Sequence, residues 1–184
     1  MTEKNENRRV RMTKRLMKDA LLELLAEKDL ANISVTAVCE AADVHRSTFY
    51  NYYTDPADLL RDIEQDFLQR LPASPEILDL QNEKALLAST SDFFDFVKDN
   101  QKTVRILFNS SSGSRFAAQM VDHLCNGFIL LGENPDEVTA RFTQLYIANG
   151  AVSMLREWVN TDFPLSSREI AEMMYTLSRR VSQY

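Results

Sequence analysis

Between Ser34 and Leu60 the chain reads SVTAVCEAADVHRSTFYNYYTDPADLL, and no other stretch restricts the fold as tightly. Ser34 supplies a side-chain oxygen just ahead of residues 35–42, so a short, capped helix is expected there. On that helix Val38, Cys39 and Ala41 are small enough to let a preceding helix approach closely. Asp43 follows, one of the few residue types besides Gly that tolerate left-handed backbone, which allows a sharp turn. After Val44, the run His45 to Tyr53 places Phe49 and Tyr53 four residues apart and so on the inner face of a second short helix. The outer surface is left to Arg46, Ser47, Tyr50, Asn51 and Thr54, with Thr48 and Tyr52 at its edges. A face serving only solvation would carry Glu and Lys. Short hydroxyls, an amide, phenols and one Arg are instead the groups that bond phosphates and base edges, Arg to guanine and Asn to adenine. Two short helices across a tight turn, the second so equipped, make the pattern of a helix-turn-helix DNA reader.

The flanking sequence supports that unit. Upstream, Leu16, Ala20, Leu21, Leu24 and Leu25 recur at helical spacing between Thr13 and Lys28 and predict an amphipathic helix. Downstream, Asp55 as N-cap, Pro56 at the first helical position and Asp58 open another helix, with an apolar stripe of Leu59, Leu60, Ile63, Phe67, Leu68 and Leu71. The segment Leu71-Pro72-Ala73-Ser74-Pro75 ends it.

The net charge of −6 is unevenly distributed. Residues 1–18 hold seven basic residues against Glu3 and Glu6, a balance of +5, which leaves −11 for the remainder. Fields decay over roughly 10 Å at 0.1 M salt, so a basic arm containing Arg8, Arg9 and Arg11 still presents a local positive potential suited to phosphates.

Only 4 Gly and 5 Pro in 184 residues argue for a mostly helical chain. Beyond residue 75 the periodicity stays helical, in segments expected at 82–98, 103–108, 114–131 (with Gly132 as a stop), 134–159 and 166–181. Asn134-Pro135-Asp136-Glu137 and Ser166-Ser167-Arg168-Glu169 both resemble capping boxes. Val138, Phe142, Leu145, Val152, Leu155 and Val159 form one stripe on the last two helices, and Ile170, Met173, Met174, Leu177 and Val181 another. These stripes serve either a homodimer interface or a monomeric core.

Enzyme chemistry finds little support. The two histidines, His45 and His123, lie in different segments, no Cys/His set has metal-ligand spacing, and neither a P-loop nor a G-x-S-x-G motif occurs. No metal or cofactor is expected. Cys39 and Cys125 read as small core residues of a reducing compartment, and no apolar run approaches the ~18 residues of a membrane span, so a cytoplasmic location is expected.

The first 60 residues resemble the DNA-binding domain of TetR-family bacterial regulators. That family typically shows a Thr-Val-Arg-Asp-Ile-Ala second helix, an Ala-Gly-Val turn, a third helix like Ser-Lys-Gly-Thr-Leu-Tyr-His-Tyr-Phe and a Lys-bearing Asp-Leu-Leu start to helix four. Ser34-Val35-Thr36, Ala42-Asp43-Val44, His45 to Tyr53 and Asp58-Leu59-Leu60 match in order and without gaps. Gly150-Ala151-Val152 and Glu157-Trp158-Val159 loosely resemble a subgroup that includes regulators of dihydroxyacetone metabolism. The resemblance implies an all-α subunit of about nine helices, with a DNA-binding domain over 1–54 and a ligand-binding and dimerisation domain over 55–184, helix 55–71 connecting the two.

By the same resemblance, Arg46, Ser47 and Asn51 fall at base-reading positions, and Thr48, Tyr50 and Tyr52 at phosphate or mixed positions. Thr36 sits where the family often touches a base or phosphate from helix two, and His45 stands where the family often has Ser. Pro56 replaces a frequent phosphate-binding Lys. Phe67, Phe93, Phe94, Phe108, Met120, His123, Leu124, Phe128, Tyr146 and Trp158 lie on helices that line the ligand pocket in relatives, a set suited to an apolar or aromatic effector. The function so implied is a repressor that binds a pseudo-palindromic operator in double-stranded DNA as a dimer and leaves it when a small molecule binds. The alternative is a TetR-like coactivator or ligand-sensing partner that does not itself read DNA.

Overall fold

The computed structural model describes the backbone of residues 2–72, 77–78, 83–127, 129–130 and 136–182. The described residues are helical apart from turns and two two-residue strands, Ile77–Leu78 (β1) and Ile129–Leu130 (β2), which pair in parallel. The chain forms two compact units. The first comprises residues 1–69 together with Asn109–Ser112, and the second comprises Arg70–Phe108 and Gly113–Tyr184. The first unit thus takes in the connecting helix as far as Gln69, a helix that Lys18 ties to the first one through Asp62 and Asp66.

In the first unit, α1 spans Thr2–Leu25, a 3-10 turn follows at Leu30–Asn32, and α2 (Val35–Ala42), α3 (Arg46–Tyr50) and α4 (Pro56–Arg70) complete it. Helix α1 begins eleven residues earlier than its apolar stripe predicts, so the basic arm is an extension of α1. Among its described side chains Met17, Ala20 and Leu21 are buried, whereas Leu16, expected inside, is 40% exposed. Met17, Ala20, Leu21 and Leu24 keep the i, i+3, i+4, i+7 spacing that Leu16 falls outside. On α2, Val38 and Cys39 are buried as expected, but Ala42 takes the inner position expected of Ala41, which is exposed. Ser34 caps the helix by accepting the Ala37 N–H at 3.1 Å.

The second unit holds α5 (Glu83–Asp99), α6 (Gln101–Asn109), α7 (Gly113–Gly127), α8 (Glu137–Asn160) and α9 (Ser167–Ser182). Helix α5 packs on α9, α7 on α8, and α8 on α9. Helix α7 stops at Gly127, short of the expected Leu131, because Ile129 and Leu130 pair as β2. The α8 cap is Asp136, which accepts from the N–H groups of Val138 and Thr139, both at 3.0 Å. Asn134 and Pro135, expected to open that helix, lie outside the described residues. The α9 box forms as the sequence suggests: Ser166 N–H donates to Glu169 at 2.8 Å and Glu169 N–H to Ser166 Oγ at 3.3 Å. Gly113 has a steric role, since a Cβ there would stand 2.1 Å from the Phe108 carbonyl oxygen, where the α6 terminus meets the start of α7.

Candidate nucleic-acid interface

Asp43 ends α2 in the left-handed region, at φ 52° and ψ 49°. Its N–H and that of Val44 are taken up by carbonyls of α2, with Val44 N–H donating to Cys39 O at 3.0 Å. This cap turns the chain within two residues and starts α3 at Arg46. Helix α3 covers only Arg46–Tyr50, shorter than the expected 45–53, and tighter turns carry the chain on through Asn51 and Tyr53. Phe49 is fully buried and Tyr53 is 4% exposed, their ring centroids 5.8 Å apart. Anchored by these two rings, the short element presents Arg46, Ser47, Tyr50 and Asn51 outward, all exposed, with Thr48 and Tyr52 partly covered. Arg46 Nη2 donates to the Tyr50 hydroxyl at 3.5 Å, one turn along the same face.

His45 is the N-cap residue of α3, exposed and making no side-chain capping bond, so its imidazole is available to a partner. Thr36 is exposed on α2, and Arg8, Arg9 and Arg11 are exposed on α1. None of the residues expected to meet DNA is buried.

Lys14 and Lys18, which contribute to the charge of the arm, pair with carboxylates of α4. Lys18 Nζ bonds Asp66 and stands 3.0 Å from Asp62, and Lys14 Nζ lies 3.8 Å from Asp62. Lys14 also sits over the rings of Tyr53 and Tyr52, 5.2 and 5.8 Å from their centroids. The Tyr53 hydroxyl completes the cluster by donating to Asp62 at 2.5 Å. Burial alone would push the Asp62 carboxyl up, but the Tyr53 hydroxyl and the two lysines outweigh it and hold it below its ordinary range. The Tyr53 phenol is pushed well above its own range, by burial first and by the Asp62 carboxylate second. This cluster escaped the sequence reading, although its signal is there: two lysines and two aspartates, each pair four residues apart on its helix.

The start of α4 differs from a phosphate clamp. Asp58 N–H donates to Asp55 at 2.7 Å, and the Asp58 carboxylate accepts the Thr54 N–H at 3.0 Å and Arg61 at 3.1 Å. That backbone bond, with Arg61, keeps the Asp58 carboxyl below its usual range. Two carboxylates therefore occupy the positive end of the helix that an incoming phosphate would use.

In the second unit the expected ligand-pocket residues separate. Phe94, Phe108, Met120 and Trp158 are buried, Phe94 against Trp158 at 5.1 Å and Phe108 against Phe116 at 5.2 Å, so they pack as core. Phe67 is buried in the first unit. Phe93 and Leu124 are half-buried, His123 is exposed, and Phe128 lies outside the described residues. Tyr146, expected in the pocket, is 68% exposed on α8.

The expected dimer stripes divide as well. Val152, Leu155, Val159 and Ile170 are core, whereas Phe142 (68% exposed), Met173 and Leu177 face outward and Leu145, Met174 and Val181 are half-buried. One stripe was read where α8 has two, because Phe142 and Val152 differ by most of a quarter turn at 3.6 residues per turn. An open groove of about 830 Å³ runs between α8 and α9, lined by Phe142, Tyr146, Met154, Met174, Leu177 and Val181 among others. No helix among the described residues is long and apolar enough to cross a membrane.

Two family descriptions match the chain, "Bacterial regulatory proteins, tetR family" over residues 19–63 and "Transcriptional regulator C-terminal region" over 85–180. Both describe transcriptional regulators, not enzymes. Over 111 residues the chain is 33% identical to the uncharacterized HTH-type transcriptional regulator YxbF of Bacillus subtilis, a match covering 60% of this chain and 26% of YxbF. An uncharacterized HTH-type transcriptional regulator of Haemophilus influenzae is 25% identical over 114 residues, 55% of this chain and 52% of that protein. The matches thus span about a quarter and about half of these relatives' lengths. Among solved structures, the fold is shared with the dihydroxyacetone kinase operon activator DhaS (TM-score 0.64, 17% identity, covering 93% of this chain and 96% of that one). It is shared equally with a TetR transcriptional regulator of Streptococcus agalactiae 2603V (TM-score 0.64, 19% identity, 94% and 97% covered). With a helix-turn-helix in its first unit and matching descriptions over both units, the chain belongs to the TetR family of bacterial transcriptional regulators.

Proposed function

We propose that this regulator binds a pseudo-palindromic operator as a homodimer, represses from it, and is released when an apolar or aromatic small molecule binds its C-terminal unit. The observation that carries the reading is the outer face of α3: Arg46, Ser47, Tyr50 and Asn51 are exposed together above a buried Phe49 and Tyr53. Arg46 and Asn51 suit base edges, and Ser47, Thr48, Tyr50 and Tyr52 suit phosphates and edges of the groove. Thr36, His45 and the α1 cations Arg8, Arg9 and Arg11 extend the contact along the backbone.

Support for the dimer comes from the apolar face of α8 and α9, where Phe142, Tyr146 and Leu177 are each at least 47% exposed. Paired about a two-fold axis, two such faces would set the reading helices about 34–36 Å apart, or a multiple of one DNA turn. Phe93, Leu124 and His123 keep accessible surface and are the proposed effector contacts in the second unit. Release is then a population shift, limited in size by the effector's differential affinity for the bound and released arrangements.

A second reading, a partner protein that does not read DNA, is favoured by one observation: Asp55 and Asp58 occupy the α4 N-terminus. Titrating Arg46→Ala against single-base operator variants separates the two. Loss of about 1–3 kcal/mol at one base pair per half-site supports reading by α3. Unchanged discrimination favours the partner role.

A further inference from the structure

The cluster around Asp62 joins three elements of the first unit. Tyr53 closes the turn after α3, Asp62 and Asp66 lie on α4, and Lys14 and Lys18 on α1. One carboxylate oxygen, Asp62 Oδ2, receives the Tyr53 hydroxyl at 2.5 Å and Lys18 Nζ at 3.0 Å, while Lys18 also bonds Asp66. Two lysines, two aspartates and a neutral phenol sum to no net charge, so the cluster adds nothing to phosphate attraction. Lys18 and Asp62 are its more withdrawn charged members, with side chains 16% and 27% exposed, against 37% for Lys14 and 52% for Asp66. A buried hydroxyl bonded to a carboxylate is held firmly, because losing either partner strands the other. Lys14, packed over both Tyr52 and Tyr53, extends the same constraint to Tyr52 beside the reading face.

We infer that Tyr53, Asp62 and Lys18 form a positioning latch that fixes the reading element against α1 and α4, so that operator discrimination depends on the Tyr53 hydroxyl although none of the three touches DNA. The inference rests on the proposed DNA reading and deepens it by naming what aims α3. Phe suffices at this place to fill the interior, as Phe49 does nearby; the hydroxyl of Tyr53 adds direction. A ring packed only by apolar contact can tilt, whereas a ring tied at its far end to Asp62 cannot.

The test is Tyr53→Phe, which keeps the ring and removes one oxygen, measured on the duplex recovered by the native protein from a random pool and on a scrambled duplex of equal composition. The latch predicts about a tenfold loss on the selected duplex, with binding to the scrambled duplex and the salt dependence of both unchanged. A role in stability alone would lower both affinities together and leave their ratio intact, and a ratio held within twofold overturns the inference. Asp62→Asn combined with Tyr53→Phe should cost little more than either alone. Should the native protein prefer no duplex, DNA reading fails, and amide exchange then judges the latch separately. Faster exchange at residues 49–54 in Tyr53→Phe, with residues 35–42 unaltered, supports the latch; unaltered exchange at both refutes it.

Discussion

In the first unit, burial and chemistry divide residue by residue. Phe49 and Tyr53 are inside, Arg46, Tyr50 and Asn51 are outside, and the outer set is of the chemical kinds that bond phosphates and base edges. In the second unit, α8 carries Phe142 and Tyr146 outside and Val152, Leu155 and Trp158 inside, all apolar or aromatic. A polar functional face declares itself against an apolar core. An apolar one is written in the same alphabet as the core, and only packing tells them apart. The proposed DNA-reading surface and the proposed subunit-pairing surface of this chain are thus unequally visible in its sequence.

Truncating aromatic residues on the two sides of α8 should give the largest effects. Trp158 packs edge-on against Phe94 and Phe163, with centroids 5.1 and 4.7 Å away, and its indole N–H donates to Leu165 O at 2.9 Å. Trp158→Ala should cost about 3–5 kcal/mol in denaturant unfolding. A loss below about 1 kcal/mol would mean that the inner face of α8 is not core. Phe142→Ala with Tyr146→Ala should leave unfolding of the monomer nearly unchanged while raising the dimer dissociation constant at least tenfold in sedimentation. If the pair proves as costly to monomer folding as Trp158, the outward face serves some other packing role.

A smaller effect sharpens the other side of the comparison. Asp43 holds a left-handed conformation that costs a non-glycine residue roughly 1 kcal/mol or more. Asp43→Gly should therefore stabilise the first unit by up to about 1 kcal/mol, with operator preference unaltered. A destabilised variant would show that the Asp side chain itself supports the turn.

Much of the first unit was legible because its signals are local. Ser34 as a cap, Asp43 as a left-handed stop, and Asp55-Pro56 as a helix start act over three or four residues, and each stands where expected. The α1 extension to Thr2 was not legible, since no apolar stripe runs through residues 2–12. Nor was the place of Lys14 and Lys18, which count only toward the charge of the arm until α4 brings Asp62 and Asp66 beside them. In the second unit the capping box at Ser166 was plain. The expected pocket was not, since Phe94 and Trp158 fill one another's space and Tyr146 turns outward, outcomes set by contacts between helices far apart in sequence.

The central claim is that α3 reads bases through its outer face and does so twice, about a two-fold axis. Selection of bound duplexes from a random pool, run in parallel with the native protein and with Arg46→Ala, tests it most directly. The account predicts an inverted repeat from the native protein with half-site centres about 10 base pairs apart, or a multiple of that turn. It also predicts that Arg46→Ala loses preference at one symmetric pair of positions. Recovery of no common sequence, or of the same sequence by both proteins, would contradict it.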